Sequence, residues 1–419
     1  MKKNCGFRKF LLLWVGELIS SIGGGLTSFG RSVYVYNETG SAASMALVSL
    51  LAFLPTLLLS VPAGVLADRY DRRMLMMIGD GFSGIGVIYI LICMLSGHAT
   101  LAQICIGVSI SSVFSSLLEP SYRATVTDLL SKEEYSRASG MVSIAGSARY
   151  LISPMLAGFL LAISDIKLLL LIDIATFFLT VITTGIVRKG IETKAAEKKE
   201  SFFSSLKDGW RAITIKRGIF VIIIVSSLIS CFMGVLQILV DPMILDFADS
   251  QTLGVAKTIC ACGMLVSGVI LGMRGIKSGY VKILGTSLAL AGAMMAVFGV
   301  KQDIYLMCGA GFLFFMMLPF ANNCLDYLAR TNIPEEKQGR AWGLIGFISQ
   351  LGYVVAYGLA GVLADGIAAK WNVTVGRGAA WVVIISGALM VMTALFLMRL
   401  RSVKELEVRE VYASEAIGE

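Results

Sequence analysis

The chain has 419 residues, of which 56% are hydrophobic and only 15% charged, and its formal net charge is +8. Soluble domains carry about 25% charged residues, so this composition excludes an ordinary soluble protein and indicates a membrane protein. The positive charge does not predict nucleic-acid binding, because most Lys and Arg residues fall on one side of the predicted spans. The eight cysteines lack metal-ligand spacing, and His98 is the only histidine, so no metal site or histidine relay is expected.

Twelve apolar stretches are long enough to cross a bilayer, which takes roughly 20 residues for each helix. In chain order, the predicted spans are 10–36, 45–67, 75–95, 101–120, 138–163, 168–187, 219–245, 255–273, 281–300, 305–328, 341–365 and 379–400. This pattern predicts an all-α membrane protein built from two pseudo-symmetric six-helix bundles. The predicted parts are an N-terminal bundle (1–188), a cytoplasmic linker (189–217), a C-terminal bundle (218–401) and a cytoplasmic tail (402–419).

The distribution of basic residues predicts the orientation of the chain. Lys and Arg residues concentrate at the N-terminus, in the loop after span 2, in the linker and in the tail. By the positive-inside pattern, both termini are expected in the cytoplasm, with the spans in the cytoplasmic membrane.

The two halves contain an internal repeat. Aligned at an offset of 203 residues without a gap, residues 136–161 and 339–364 agree at eight of 26 positions. Many secondary transporters are built from such six-span repeats, with the substrate bound near the middle of the membrane between them.

Span 1 carries a polar stripe along one helix face, and span 7, its repeat partner, carries another. The stripe of span 1 is Glu17, Ser21, Gly24, Ser28 and Arg31, and that of span 7 is Ser227, Ser230, Gly234, Gln237 and Asp241. In lipid such stripes must face protein or water, so both are predicted to line a central substrate cavity, with Asn322 and Asn323 of span 10 as further candidates. The alternative is that these small polar residues only pack helices together.

The loop after span 2 reads Gly64-Val-Leu-Ala-Asp68-Arg69-Tyr70-Asp71-Arg72-Arg73. It resembles the signature loop of the major facilitator superfamily, which has a Gly, an Asp-Arg pair four residues on and then a basic pair. Glycine at position 64 is expected to let a neighbouring helix approach. The family usually has Gly where Asp71 stands, and Asp tolerates a left-handed turn, so we expect a mild departure. A plain positive-inside loop is the alternative.

The resemblance extends over essentially the whole chain and is closest to the macrolide-efflux and enterobactin-exporter branch. It includes Thr39-Gly40-Ser41, Leu54-Pro55, Asp80 and Ser153-Pro154. It implies a monomeric efflux permease, not an enzyme, that exports small amphipathic or hydrophobic compounds by alternating access and proton antiport. No nucleotide-binding loop is present, and the expected partners are the substrate and membrane lipids. The alternatives are an uptake permease, a lysophospholipid flippase or, further off, a membrane-embedded sensor or enzyme.

Charges inside spans are functional candidates because a charge at the bilayer centre costs about 2.5–3.5 kcal/mol. Arg31 and Asp241 are predicted at similar depth near the outer surface, where they could pair as a gate, with local pairing in each half as the alternative. Arg123, expected just after span 4, and Asp326 are repeat-equivalent candidates for an inner gate. A local pair of Arg123 with Glu119 is the alternative.

Three acids are candidates to carry a proton, because burial in an apolar span favours the neutral form of a carboxyl group. They are Glu17, Glu119 and Asp173, and Arg149 in span 5 is expected to act as a counter-ion for one of them. Many proton-coupled members of the superfamily have an Arg midway along span 4, where this chain has Ser111. The route of coupling therefore stays open at this point.

Overall fold

The computed structural model describes residues 3–188, 210–211, 213–214 and 216–407. Its helices, in chain order, are α1 (Lys3–Thr39), α2 (Ala42–Arg69), α3 (Arg72–Leu95), α4 (Leu101–Ser115), α5 (Leu118–Leu129), α6 (Lys132–Leu151), α7 (Ser153–Ile163), α8 (Ile166–Arg188), α9 (Arg217–Leu245), α10 (Ser250–Arg274), α11 (Tyr280–Val300), α12 (Ile304–Asn332), α13 (Glu335–Trp371) and α14 (Val375–Arg399). No strand occurs among the described residues.

Twelve helical segments in the described part of the chain are long and apolar enough to cross a membrane. Two of these segments each combine two helices, α4 with α5 and α6 with α7. The predicted all-α class and the number of spans are therefore confirmed. Much of the predicted linker and of the predicted tail, residues 189–209 and 408–419, lies outside the described residues.

Two predicted span ends are wrong. Span 4 was expected to end at Pro120, but Pro120 lies in the first turn of α5 and the helix continues to Leu129. A proline is tolerated there because the first N–H groups of a helix have no intrahelical partner. Span 11 was expected to end at Asp365, but α13 continues to Trp371 and ends at Asn372 in a left-handed conformation (φ 51°, ψ 46°).

The chain divides into two compact units, the first comprising residues 1–197 and 248–258, and the second 198–247 and 259–419. In the first unit, α1 packs against α6, α7 and α8, while α3 packs against α4 and α8. In the second unit, α9 packs against α13 and α14, and α11 packs against α12 and α14.

Three glycines at every seventh position let α1 lie close to α8. Gly16, Gly23 and Gly30 share one face of α1, because seven residues are nearly two helical turns. A Cβ added to them would lie 2.7 Å from Thr183 Oγ1, 2.5 Å from Thr176 Oγ1 and 2.5 Å from Leu169 Cδ1, respectively. Small residues allow such close approach of membrane helices. This packing brings the polar side chains of α8 against α1.

Candidate functional site

The loop between α2 and α3 is organised by Asp71. Asp71 is the N-cap of α3, and its side chain accepts a hydrogen bond of 3.1 Å from the backbone N–H of Arg73. Its backbone is extended, with φ −61° and ψ 110°. The expectation that Asp71 stands in a left-handed turn is therefore wrong. Aspartate is suitable there because it is one of the best N-cap residues.

Both arginines that follow Asp71 converge on Asp128, near the end of α5. Arg72 Nη1 donates to Asp128 Oδ1 at 2.6 Å, and Arg73 Nη2 donates to Asp128 Oδ2 at 3.4 Å. Arg73 is only 3% exposed, so Asp128 is the acceptor for a buried cation. Asp71 Oδ2 in turn accepts a 2.7 Å bond from Nε of Arg188, the last residue of α8. The loop thereby joins the ends of α3, α5 and α8.

Asp68, Arg69 and Gly64 complete the signature loop. Asp68 Oδ1 lies 4.0 Å from Arg72 Nη2, and Arg69 is exposed. A Cβ added to Gly64 would meet no described atom within 4 Å, and the close helix approach expected there stays a prediction.

A polar cluster lies inside the first unit, where α1, α3, α6 and α8 meet. Asp80 of α3 and Asp173 of α8 are 3% and 1% exposed. Asp80 interacts electrostatically with Glu17 and, more weakly, with Asp173, while Asp173 interacts electrostatically with Arg149 and Arg31. We call these five residues the charge cluster. It unites four of the predicted candidates with Asp80.

Glycines of α1 position the charge cluster. A Cβ at Gly23 would lie 3.1 Å from Asp173 Oδ1, and one at Gly25 would lie 3.1 Å from Arg149 Cγ. The backbone of α1 therefore runs directly past the Asp173 carboxylate and the stem of Arg149, whose side chain remains exposed.

Hydroxyl groups surround the buried acids. Thr27 and Thr176 neighbour the Asp173 carboxyl group, and Thr180 neighbours that of Asp80. These threonines also bond to the helix backbone, as Thr176 Oγ1 does to Asp173 O at 2.7 Å. Among the described residues, Asp173 Oδ1 is buried and has no hydrogen-bond partner. Since buried polar atoms are almost always paired, this oxygen is exceptional.

Arg123 and Glu119 form the local pair that was the alternative to an inner gate. Arg123 Nη2 donates to Glu119 Oε1 at 2.8 Å, and both side chains are 70% exposed. Arg123 lies within α5, one turn after Glu119, rather than after the end of the span. Asp326 is exposed on α12 of the second unit. The gate formed by Arg123 and Asp326 stays a prediction.

The outer gate also stays a prediction. Arg31 is half-buried in the first unit, whereas Asp241 is 2% exposed in the second.

Ser111 occupies a packing position between α3 and α4. Its hydroxyl lies 2.7 Å from that of Ser83, which also contacts Ser115 at 2.9 Å. A Cβ added to Gly86 would lie 2.8 Å from the backbone nitrogen of Ser111. In this chain the position therefore contributes a hydroxyl to a close helix contact and no charge.

The two polar stripes differ in their surroundings. Part of the span 7 stripe packs within the second unit: a Cβ at Gly234 would lie 2.8 Å from Ala356 Cβ, and Gln237 Oε1 accepts a 2.8 Å bond from Tyr357. Gly234 and Gln237 therefore pack against α13, and helix packing was the alternative to lining a cavity. Ser21, Gly24, Ser28 and Ser230 are half-buried, and Asn322 and Asn323 are exposed.

Asp80 and Asp128 are the site residues that the sequence did not identify as functional. Asp80 is an acid between two glycines, Gly79 and Gly81, inside an apolar span, and this is a signal of a buried functional group. Asp128 lies beyond the predicted end of span 4, so nothing marked it. Within the described residues, no group of three or more His, Cys, Asp or Glu could hold a metal ion.

Comparisons with known proteins bear on the whole chain. The family model of the Major Facilitator Superfamily matches residues 13–357. Macrolide efflux protein A of Streptococcus pyogenes is 24% identical over 366 residues, covering 86% of this chain and 90% of that protein. The staphyloferrin A transporter of Staphylococcus aureus is 24% identical over 276 residues, which are 64% of this chain and 65% of that protein. The solved structure of a bacterial homologue of the iron transporter ferroportin shares the fold, with a TM-score of 0.72 at 14% identity. The match covers 94% of this chain and 99% of that one.

Proposed function

Since this chain belongs to the Major Facilitator Superfamily and is a multi-pass membrane transporter, we propose that it is a secondary active efflux permease. It exports small amphipathic or hydrophobic compounds from a bacterial cell by alternating access, in exchange for protons. The cargo crosses unchanged, so the protein is a carrier and not an enzyme.

The observation that carries this proposal is the nearly full-length similarity to macrolide efflux proteins. The alignment with the Streptococcus pyogenes protein covers 86% of this chain and 90% of that one, so it includes both six-helix halves. Fold alone does not imply a direction or a cargo, and the similarity in sequence is what favours export of macrolide-like compounds.

The distribution of charge supports the orientation of the chain in the membrane. Arg69, Arg72, Arg73 and Arg188 all lie at the ends of α2, α3 and α8 that are predicted to be cytoplasmic. In this orientation the spans lie in the cytoplasmic membrane, the termini are cytoplasmic, and the basic loop contacts anionic lipid headgroups. The chain acts as a monomer.

Buried acids support coupling to protons. Asp80 and Asp173 lie in spans α3 and α8 and are almost fully buried; Asp80 interacts electrostatically with Glu17, and Asp173 with Arg149 and Arg31. Intramembrane carboxyl groups of this kind mark proton relays in pumps and transporters.

A second candidate cargo follows from the similarity to the staphyloferrin A transporter, which covers 64% of this chain. The same fold could transport a compound such as staphyloferrin A. The test must therefore include staphyloferrin A as well as a macrolide.

Accumulation assays test the proposal. A bacterial host that lacks its own major drug pumps expresses the chain, or an empty vector, and is loaded with radiolabelled erythromycin, ethidium or staphyloferrin A. We expect the chain to lower the accumulation of erythromycin, and a proton uncoupler to abolish the difference from the vector. Equal accumulation in both hosts for every compound would contradict efflux of this class. An effect that survives the uncoupler would contradict proton coupling.

A further inference from the structure

A cavity of about 340 Å³ lies at the end of the first unit that is predicted to face outside the cell. It is enclosed by the end of α1, the loop from α3 to α4, the loop from α7 to α8 and the start of α8, whose opposite end carries Arg188. Resting on the proposed function, we infer that this cavity is an exit site, which binds the cationic group of an amphipathic substrate at Glu38 before the substrate leaves.

Four helices contribute apolar side chains to the wall of this cavity. They are α1, α3, α7 and α8, with Val33, Met94, Leu161 and Ile166, respectively. Sites for small molecules in proteins are concave, measure about 300–1,000 Å³, and combine apolar walls with a few polar groups. The cavity therefore has the size and the kind of wall that bind a small amphipathic compound or one end of a larger one.

The cavity lies at the outer end of the polar stripe of α1. The stripe predicted from the sequence runs from Glu17 to Arg31 at intervals of three and four residues, and Tyr34 and Glu38 continue it with the same spacing. Residues at these intervals share one face of a helix. A substrate that moves outward along this face therefore meets Tyr34 and Glu38 last.

The charged groups of the wall leave Glu38 available to a ligand. Lys167 Nζ lies 3.3 Å from Asp165 Oδ2, and the backbone N–H of Lys167 donates to Asp165 Oδ1 at 3.0 Å, so Asp165 is occupied. Among the described residues, Glu38 has one ion-pair partner, His98, whose Nδ1 lies 3.6 Å from Glu38 Oε1. With His98 neutral, the wall has two negative charges and one positive charge. The excess negative charge lies on Glu38 and attracts a cation.

Tyr34 anchors the loop that carries His98. The Tyr34 hydroxyl accepts a 3.1 Å hydrogen bond from the backbone N–H of Ala99 and donates a 3.3 Å bond to Ala99 O. Ala99 follows His98 directly and is buried, so the loop is fixed to α1 with His98 beside Glu38. Tyr34 also lines the cavity one turn from Glu38. Because aromatic rings attract cations through their faces, the two side chains together favour an ammonium group over an anion.

His98 competes with the substrate for the same carboxylate. A histidine side chain gains a positive charge when it is protonated, and this change falls between about pH 8 and pH 5. Protonated His98 pairs with Glu38 and cancels the excess negative charge of the wall, whereas neutral His98 leaves Glu38 to the substrate. Acid outside the cell therefore promotes release, which is the direction that proton-driven export requires.

The other charged groups around the cavity do not take over these roles. Asp165 and Lys167 neutralise each other. Arg31 lies two turns deeper on α1 and interacts electrostatically with Asp173. Asp249, at the start of α10, accepts a 2.8 Å hydrogen bond from the backbone N–H of Thr252. The change of charge within the wall therefore falls on His98, with Glu38 as its partner.

Protection of a reporter cysteine tests the site in intact cells that express the full chain. Ser164→Cys places a thiol in the cavity wall, where a membrane-impermeant maleimide added outside labels it, and the chain without this change gives the background. The two probes are tetraphenylphosphonium and tetraphenylborate, which have the same shape and opposite charge. On ice, in mildly alkaline buffer, we expect the cation to slow labelling and the anion to leave it unchanged. Equal protection by both probes would overturn the inference.

Substitution of Glu38 assigns the protection to its carboxylate. In the reporter chain, Glu38→Gln should raise the concentration of cation that halves the labelling rate by a factor of about two to five, the effect of one exposed ion pair. Asp303→Asn is the matched control, because it removes a carboxylate that pairs with Lys301 in the second unit, and it should change nothing. Unchanged protection in Glu38→Gln would overturn the inference.

The pH dependence assigns the competing charge to His98. Labelling with the cation is compared with labelling without it at the same pH. As the buffer is lowered from about pH 8 to about pH 5.5, protection should weaken in the chain with His98 and stay constant with His98→Gln. With His98→Lys, protection should be weak at every pH, because a lysine keeps its charge over this range. Protection that does not depend on pH in the chain with His98 would contradict the competition.

Erythromycin accumulation in the same cells separates this inference from the proposed function. Lowered accumulation without selective protection by the cation would overturn the exit site and leave efflux supported. Protection as expected without lowered accumulation would contradict the proposed function and leave Glu38 as the acceptor of a cation-binding site. Should Glu38→Gln not reach the membrane, His98→Lys decides, because His98 is 85% exposed in a loop and tolerates substitution. Full protection in His98→Lys would then overturn the inference.

Discussion

Asp71 Oδ2 and Arg188 Nε form an ion pair of 2.7 Å that joins residues 117 positions apart in the chain. Asp71 also caps the N-terminus of α3, while Arg188 is the last residue of α8. One carboxylate therefore fixes the start of one helix and the end of another.

The two roles of Asp71 can be separated by substitution. Asp71→Ala removes the cap, worth about 1 kcal/mol, together with the ion pair. Arg188→Gln removes only the pair, worth less than about 1 kcal/mol because Arg188 is 44% exposed. In thermal unfolding of the purified protein, we expect Asp71→Ala to lower the midpoint clearly and Arg188→Gln to lower it little. Asp71→Asn should resemble Arg188→Gln, because Asn also caps helices. Equal effects of the Ala and Gln variants would contradict this division.

Asp128 is expected to matter more for stability than Asp71, because it neutralises a buried cation. Asp128→Asn takes from Arg73, which is 3% exposed, the nearer of its two carboxylates and leaves only Asp71 Oδ1 at 3.9 Å, and this costs at most about 3–5 kcal/mol. Denaturant unfolding should show a large loss for Asp128→Asn. The double variant Arg73→Met with Asp128→Asn removes the stranded charge and should recover part of the loss. If the double variant is less stable than Asp128→Asn alone, the unpaired charge of Arg73 is not the cause of the lost stability.

Adjacent glycines on α1 provide a matched pair for the packing of α1 against α8. A Cβ at Gly23 would lie 2.5 Å from Thr176 Oγ1, whereas the nearest atom to a Cβ at Gly24 is 4.0 Å away. Overpacking of this kind costs about 1–3 kcal/mol. Gly23→Ala should therefore reduce thermal stability, and Gly24→Ala should leave thermal stability near the wild-type value. Equal tolerance of the two changes would show that this contact is not tight.

Residues 401–407, of which all but Arg401 fall in the predicted tail, are helical and belong to the second unit. Val403 and Leu406 are 0% and 3% exposed, and Glu407 accepts a 2.8 Å bond from the backbone N–H of Tyr280, at the start of α11. Burying each of these apolar side chains contributes about 1.5–3 kcal/mol.

Truncation tests the packing of residues 401–407. A chain that ends after Glu407 should keep its thermal stability, while one that ends after Leu400 should lose several kcal/mol, summed over the two buried side chains. Glu407→Gln weakens one cap and should have a small effect, and the exposed Glu405→Gln is its control. Equal stability of the two truncated chains would show that residues 401–407 add nothing to the fold.

Local patterns predicted the spans well because each apolar run must match the thickness of the bilayer whatever it packs against. The pair of Arg123 with Glu119 was also foreseeable, since residues four positions apart lie on one helix face. Asp71 was misinterpreted. The family usually has a glycine at this position, which suggested a left-handed turn, whereas Asp71 caps a helix.

Contacts between distant helices were out of reach of sequence reasoning. Asp80 and Asp173 lie on α3 and α8, and no periodicity indicates that these two helices meet. Gly23 shows the same limitation. It was one of several glycines in span 1, and only the position of Thr176 in the structure shows that Gly23 allows α8 to approach α1.

The most direct test of proton-coupled export is the proton movement that accompanies the substrate. In inside-out membrane vesicles acidified by respiration and loaded with a pH-sensitive acridine dye, added erythromycin should restore the dye fluorescence as protons leave in exchange. Wild-type protein should give this signal, and Asp173→Asn should give none. If wild-type vesicles transport erythromycin without any proton movement, the central claim is wrong. If the variant moves protons as the wild type does, Asp173 is not part of the proton route.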